Sequence, residues 1–214
     1  MRIKWHGHAC FEINTGDTTI VLDPHDGKSL GIKTPSATAD LVLMSHDHYD
    51  HNASRSINGN FKGYMMKNGR FEFRNIPFYG LSTFHDDDSG KKRGMNTMYR
   101  FTVEGMTLCH CGDLGCIPNQ KIINAIKGVD FLFLPVGGIY TLEKPELKRF
   151  IEMVNPRIII PMHYRFGGLT INIANVDDFL EMIPEDFIEY VGNSIDITRD
   201  ELPDLKECWV FDRR

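Results

Sequence analysis

The apolar run Leu41-Val42-Leu43-Met44 passes directly into Ser45-His46-Asp47-His48-Tyr49-Asp50-His51, and this junction constrains the chain more tightly than any other stretch. Four consecutive apolar residues bounded by polar ones read as a buried strand. The end of such a strand is a rigid platform, and here it carries His46, His48, Asp50 and His51. Neutral imidazole and carboxylate are the donors that borderline divalent ions such as zinc, manganese or iron accept. In an extended segment His46 and His48 point to the same side and suit one ion, whereas Asp50 and His51 lie past the bend and suit a second. A lone histidine at such a place would read as part of a solvated turn; the density of donors and the strand-to-loop context favour a metal site.

The rest of the chain supplies a frame. Its 214 residues, 42% hydrophobic and 25% charged, are enough for a sizeable core, and we expect a single domain over 1–214. Strands are predicted over 2–6, 9–14, 18–22 and 41–44, with a hairpin turn at Asn14-Thr15-Gly16-Asp17. Further strands are expected at 71–73 and 77–84, then at 98–103 and 106–110 joined through Glu104-Gly105. Ile122, Ile123 and Ile126 predict a helix between an Asn119 cap and Gly128. Leu147, Phe150, Ile151 and Val154 predict another that stops before Asn155-Pro156. Buried strands at 131–134 and 158–160 flank that helix, and a last helix over 176–182 precedes strands near 187–190, 195–198 and 208–211. Strands first and helices interleaved later predict sheets packed face to face with helices outside.

The formal charge of −5 disfavours extended nucleic-acid binding. Five cysteines without framework spacing read as free thiols, the N-terminus carries no secretory pattern, and no apolar run is long enough to span a membrane. We therefore expect a cytoplasmic protein with no membrane partner.

The motif His46-Asp47-His48-Tyr49-Asp50-His51 resembles the His-x-His-x-Asp-His hallmark of the metallo-β-lactamase superfamily. Three further elements follow in the family's order: Ser82-Thr83-Phe84-His85, His110-Cys111-Gly112-Asp113 and Pro161-Met162-His163. The resemblance covers nearly the whole chain and implies a four-layer αββα sandwich of two mixed sheets. It also implies two divalent ions, with zinc the first expectation and manganese or iron alternatives. One would be held by His46, His48 and His85, the other by Asp50, His51 and His163, with Asp113 bridging. Water activated between the ions would be the nucleophile, and Asp50 would orient it or pass its proton to the leaving group.

Other residues are placed around this centre. Asp23, before Pro24, resembles the superfamily's early aspartate, which fixes the tautomer of a ligand histidine; a simple Asp-Pro turn is the alternative. His6-Gly7-His8 resembles the Trp-x-Gly-His opening of a subgroup of small hydrolases, and of the two histidines only His8 is expected at the site. His110 reads as a buried, satisfied histidine. The loop 86–94 reads by default as solvated charge, with the alternative that Lys91, Lys92 or Arg93 binds an anionic substrate group. Tyr140, in Gly137-Gly138-Ile139-Tyr140-Thr141, is expected to line the pocket.

These segments look most like small metal-dependent hydrolases related to L-ascorbate 6-phosphate lactonase, although this chain is shorter. The implied activity is hydrolysis of a small ester, lactone or phosphate-bearing metabolite. A phosphodiesterase or nuclease and a non-catalytic metal-binding sensor stay open, as does a homo-oligomer.

Overall fold

A computed structural model describes residues 1–212; residues 213 and 214 of the expected domain lie outside the described residues. Fourteen strands form two sheets among the described residues. The first half supplies β1 (Arg2–Gly7), β2 (Cys10–Asn14), β3 (Thr19–Leu22), β4 (Leu41–Met44) and β5 (Lys62–Met65). Then come β6 (Gly69–Phe73), β7 (Ile76–Phe84), β8 (Met95–Val103) and β9 (Met106–His110). Helix α1 (Gln120–Ile126), strand β10 (Phe131–Pro135), helix α2 (Lys144–Val154) and strand β11 (Ile158–Met162) follow. The short α3 (Asp177–Leu180), β12 (Ile188–Tyr190), β13 (Ser194–Asp196) and β14 (Glu207–Val210) complete the order.

The six-stranded sheet runs β13-β1-β2-β3-β4-β5 and the eight-stranded sheet β12-β14-β11-β10-β9-β8-β7-β6. Both are mixed. Strands β1, β2 and β3 pair antiparallel, whereas β3, β4 and β5 run parallel. In the larger sheet β6 to β9 form an antiparallel meander, and β9, β10, β11 and β14 are parallel. Two mixed sheets packed face to face are as expected.

Local chemistry explains the elements. Gly16 adopts φ +85° and donates its N–H to Asn14 Oδ1, which closes the hairpin between β2 and β3. Glu104 and Gly105 both have positive φ, the geometry that matches the twist of paired strands in a two-residue hairpin. Asn119 Oδ1 accepts from Ile122 N at the start of α1. In α2 Glu143 and Glu146 form a reciprocal capping box, and the helix ends at Asn155 in the left-handed region just before Pro156.

Period-two alternation sorts the strands of the smaller sheet onto two faces. Ile20, Leu22, Leu41 and Leu43 join the main core between the sheets, where Phe11 meets Phe133 of the facing sheet with ring centroids 4.8 Å apart. Cys10, Val21, Val42 and Met44 face outward and are covered by Ala37, Ala39 and Ile57. That cover is loop and one 3-10 turn, Ser54–Ser56, whereas α1 and α2 accompany the larger sheet.

Two expectations need correction. The helix predicted over 176–182 is regular only over Asp177–Leu180, because Met182 and Ile183 turn back to carbonyls three residues earlier and Pro184 follows. Strand β5 was not expected, since Lys62-Gly63-Tyr64-Met65 lacks apolar alternation; it lies at the open edge of its sheet, where one flank and much of its surface meet solvent. No helix among the described residues is long and apolar enough to cross a membrane.

Candidate metal centre

Strand ends from both sheets converge at one place. His8 follows β1, Asp23 follows β3 and the His46–His51 segment follows β4 in the smaller sheet. His85 follows β7, Asp113 lies three residues beyond β9, and His163 follows β11 in the larger one. Three of these residues, His8, Asp23 and His163, hold φ between +44° and +55°. Such backbone costs roughly 1–3 kcal/mol per residue outside glycine, and it survives where surrounding structure over-determines it. Gly112 also has φ +55°, and only glycine fits there, because a Cβ would lie 2.5 Å from Ser45 Cβ and 2.3 Å from Asn96 Oδ1. The turn before Asp113 therefore presses against the residue before His46.

Three overlapping donor groups result among the described residues, and two of them share no residue. His46, His48 and His85 form one, with ring centroids 4.5 to 5.0 Å apart. His8, Asp50, His51 and His163 form the other. The carboxylate of Asp113 stands between them. Its Oδ2 lies 3.7 Å from His46 Nε2, 3.3 Å from His85 Nε2 and 3.1 Å from His163 Nε2, and its Oδ1 lies 3.3 Å from His51 Nε2.

Hydrogen bonds behind the clusters decide which nitrogens face inward. The buried Asp23 carboxylate accepts from Ser45 N at 2.7 Å, from Ser45 Oγ–H at 2.6 Å and from His51 Nδ1–H at 2.9 Å. With its proton committed to Asp23, Ser45 Oγ accepts from His46 Nδ1–H at 2.9 Å. Asp23 thus fixes the tautomers of two histidines, one directly and one through Ser45, and leaves both Nε2 lone pairs turned into the site. The Asp-Pro turn reading gives way to this role in packing. Asn96 acts similarly on Asp113: its Oδ1 accepts from Asp113 N at 3.0 Å while its amide donates to Thr83 Oγ1 and Cys111 O.

The fit to a cation rests on what those lone pairs meet. His46 Nε2, His51 Nε2 and Asp113 Oδ1 are buried without a hydrogen-bond partner. An unsatisfied buried polar atom costs about 1–3 kcal/mol. Acceptor faces acceptor here, and a positive charge between them removes the conflict. The same carboxylates attract positive charge to the site. Burial pushes His51 down, but Asp113, Asp50 and Asp23 outweigh it and hold its pKa well above the usual histidine value. Burial raises the Asp113 carboxyl, yet His163 and His51 hold it well below the carboxylate range. His8 and His46 are pushed down to about 3, chiefly by burial, so both are neutral donors near pH 7.

Beside the clusters opens a cavity of about 500 Å³ lined in part by His48, Asp50, His85, Asp113 and His163. Tyr49, Arg93, Tyr140, Thr170, Ile171 and Asn172 complete its wall.

The beta-lactamase superfamily domain matches residues 2–163. The chain belongs to the metallo-β-lactamase superfamily. A superfamily structure from Thermotoga maritima, named as a Zn-dependent hydrolase, is 35% identical over 98% of this chain and 97% of its own, with a TM-score of 0.80. A UPF0173 metal-dependent hydrolase of Bacillus licheniformis is 29% identical over 77% of this chain and 85% of its own length. A structure from Parabacteroides distasonis shares the superfamily fold at 18% identity, covering 86% of this chain and 88% of its own with a TM-score of 0.68.

The structure brings together His46, His48, Asp50, His51, His85, Asp113 and His163, the seven residues the superfamily motifs point to. His8, expected nearby, is a member of the second cluster: its Nε2–H donates to Asp50 Oδ2 at 3.0 Å. His6 pairs with Glu12 instead, and His110 is satisfied by Ala9 O and Gly112 N. Tyr140 and Arg93 reach the cavity. Lys91 and Lys92 are absent from its lining and pair with Asp88 and Asp87. Sequence reasoning missed Ser45 and Asn96, whose only signal is a polar residue just past a buried strand or within one, and the cavity wall at 170–172.

Proposed function

We propose that this centre holds two divalent ions, zinc first among them, and hydrolyses a small ester, lactone or phosphate-bearing metabolite. The observation that carries the reading is the Asp113 carboxylate set between two separate histidine-rich clusters with unpartnered acceptor atoms on both sides. His46, His48 and His85 would hold one ion, Asp50, His51 and His163 the other, and Asp113 would serve both. The zinc-dependent naming of the Thermotoga maritima relative supports the choice of metal. Divalent ions so held lower the pKa of water toward neutrality and polarise the carbonyl or phosphoryl oxygen under attack.

The chain's own residues do the remainder. Asp23 and Ser45 keep the His51 and His46 lone pairs aimed inward. Asp50, which accepts from the His8 N–H, would take the proton from the attacking water. Hydrolysis forms one bond from water oxygen to the acyl carbon or phosphorus and breaks the bond to the leaving oxygen, which receives that proton. The cavity volume lies in the range of small-molecule sites.

The test is elemental analysis of purified protein beside Asp113→Ala, followed by a panel of ester, lactone, thioester and phosphodiester substrates. About two ions per chain falling to one or none in the variant, with turnover on the panel, is the expected result. Little metal in the unmodified protein after reconstitution would sink the reading.

A further inference from the structure

The loop 86–94 sorts its charges. Lys91 Nζ lies 3.0 Å from Asp88 and Lys92 Nζ 2.7 Å from Asp87, both pairs exposed. Among the described residues, Arg93 makes no ion pair and is the single lysine or arginine in the cavity wall. Its guanidinium carbon stands 5.1 Å from the Tyr140 ring centroid. An aromatic neighbour holds a guanidinium while leaving N–H donors free for a planar acceptor, and the fork matches carboxylate or phosphate oxygens.

The backbone beneath Arg93 is fixed as well. The Asp86 carboxylate, next to His85, accepts from the N–H groups of Asp88, Gly90, Lys92 and Arg93 at 2.8 to 3.0 Å. Gly94 O accepts from His85 N at 3.0 Å, and Gly94 N donates to Gly90 O at 2.9 Å. The loop is a closed ring that leaves the metal centre at His85 and returns to it, delivering one unpaired cation into the cavity. Thr170 and Asn172 add uncharged polar groups to the same wall. Segment 165–175 is itself anchored, through Thr170 N to Leu30 O and Ala174 N to Gly137 O. A donor pre-organised in this way needs little ordering on binding.

We propose that Arg93 anchors the substrate through an oxyanion, carboxylate or phosphate, carried away from the bond that is cut, so that the site selects small anionic substrates. This rests on the hydrolase reading above. Arg93 is a specificity residue and takes no part in the bond changes. The nearby Asp50 and Asp113 repel a stray anion unless the metal charges offset them, so Arg93 orients a substrate already attracted to the loaded centre.

The test compares para-nitrophenyl hexanoate with mono-para-nitrophenyl adipate, which places a carboxylate where the other ends in methyl, on the metal-loaded protein and its Arg93→Ala and Arg93→Lys variants. Arg93→Ala is expected to lower kcat/KM for the adipate roughly 10- to 100-fold, mainly through KM, and to change the hexanoate by less than about threefold, with Arg93→Lys between. Calorimetric titration of glutarate and of propylphosphonate into the same proteins should show weakening of similar size, and the tighter of the two identifies the preferred oxyanion. Equal losses on both esters, or anion binding unchanged in Arg93→Ala, would overturn the proposal. If neither ester is hydrolysed, the hydrolase reading fails for such esters while the calorimetry still decides the anchor.

Discussion

Asp23 concentrates more of the site's order than any residue the cavity exposes. It is fully buried, yet it organises His51 directly and His46 through Ser45. Asp23→Asn preserves size and can still accept from Ser45 N, but its amide offers a donor where His51 Nδ1–H now donates. The histidine must then move its proton to Nε2 and loses the lone pair it presents to the site. We expect zinc affinity to fall about 10- to 100-fold, read by competition with a chromophoric chelator. Unchanged affinity would mean that the tautomer is set by something other than Asp23. At the same scale, the free Nε2 atoms of His46 and His51 explain why an ensemble of buried imidazoles, costly alone, is retained.

Among the elements, the 86–94 loop is the one whose order hangs on a single carboxylate. Burial pushes Asp86 up, but donations from the N–H groups of Arg93, Asp88, Gly90 and Lys92 outweigh it and bring its pKa to about 2 from an ordinary 3.8. A depressed carboxyl contributes stability that is fully present above its unfolded pKa and is lost as pH falls through the folded one. The loop should therefore keep its shape to about pH 4 and loosen between there and about pH 2, as monitored by amide exchange at Asp88, Gly90, Lys92 and Arg93. Asp86→Asn should abolish that acid-dependent step and speed exchange of the same amides at neutral pH. Protection that survives the substitution would show that the glycine contacts at Gly90 and Gly94 suffice to hold the ring.

For the whole molecule, apolar packing holds the two sheets, and with them the two halves of the site, against each other. The sheets meet through large side chains such as Phe11 and Phe133, both fully buried. Phe133→Ala should cost about 3–5 kcal/mol in urea unfolding. A bound metal ion would act across the same interface, since His46 and His51 come from one sheet and His85, Asp113 and His163 from the other. Chelation should then lower unfolding free energy, by about 4 kcal/mol relative to ion at a thousandfold excess over Kd. Absence of any chelator effect on the midpoint would mean that ions do not bridge the sheets.

What the sequence determined by itself was whatever depends on covalent spacing: the apolar strand ending in the His46–His51 donors, the hairpin at Asn14–Asp17, the helical stripe of Leu147, Phe150 and Val154, and through them the superfamily fold. Tertiary structure decided which donors meet. Asp50 touches His8 across 42 positions and Asp23 touches His51 across 28, distances that no local period encodes. It also separated Arg93 from Lys91 and Lys92, neighbours of equal charge, because a closed loop points adjacent side chains different ways and two of them found aspartates first. Strand β5 escaped for a related reason: an edge strand is held by backbone pairing with β4, and backbone groups carry no sequence signature.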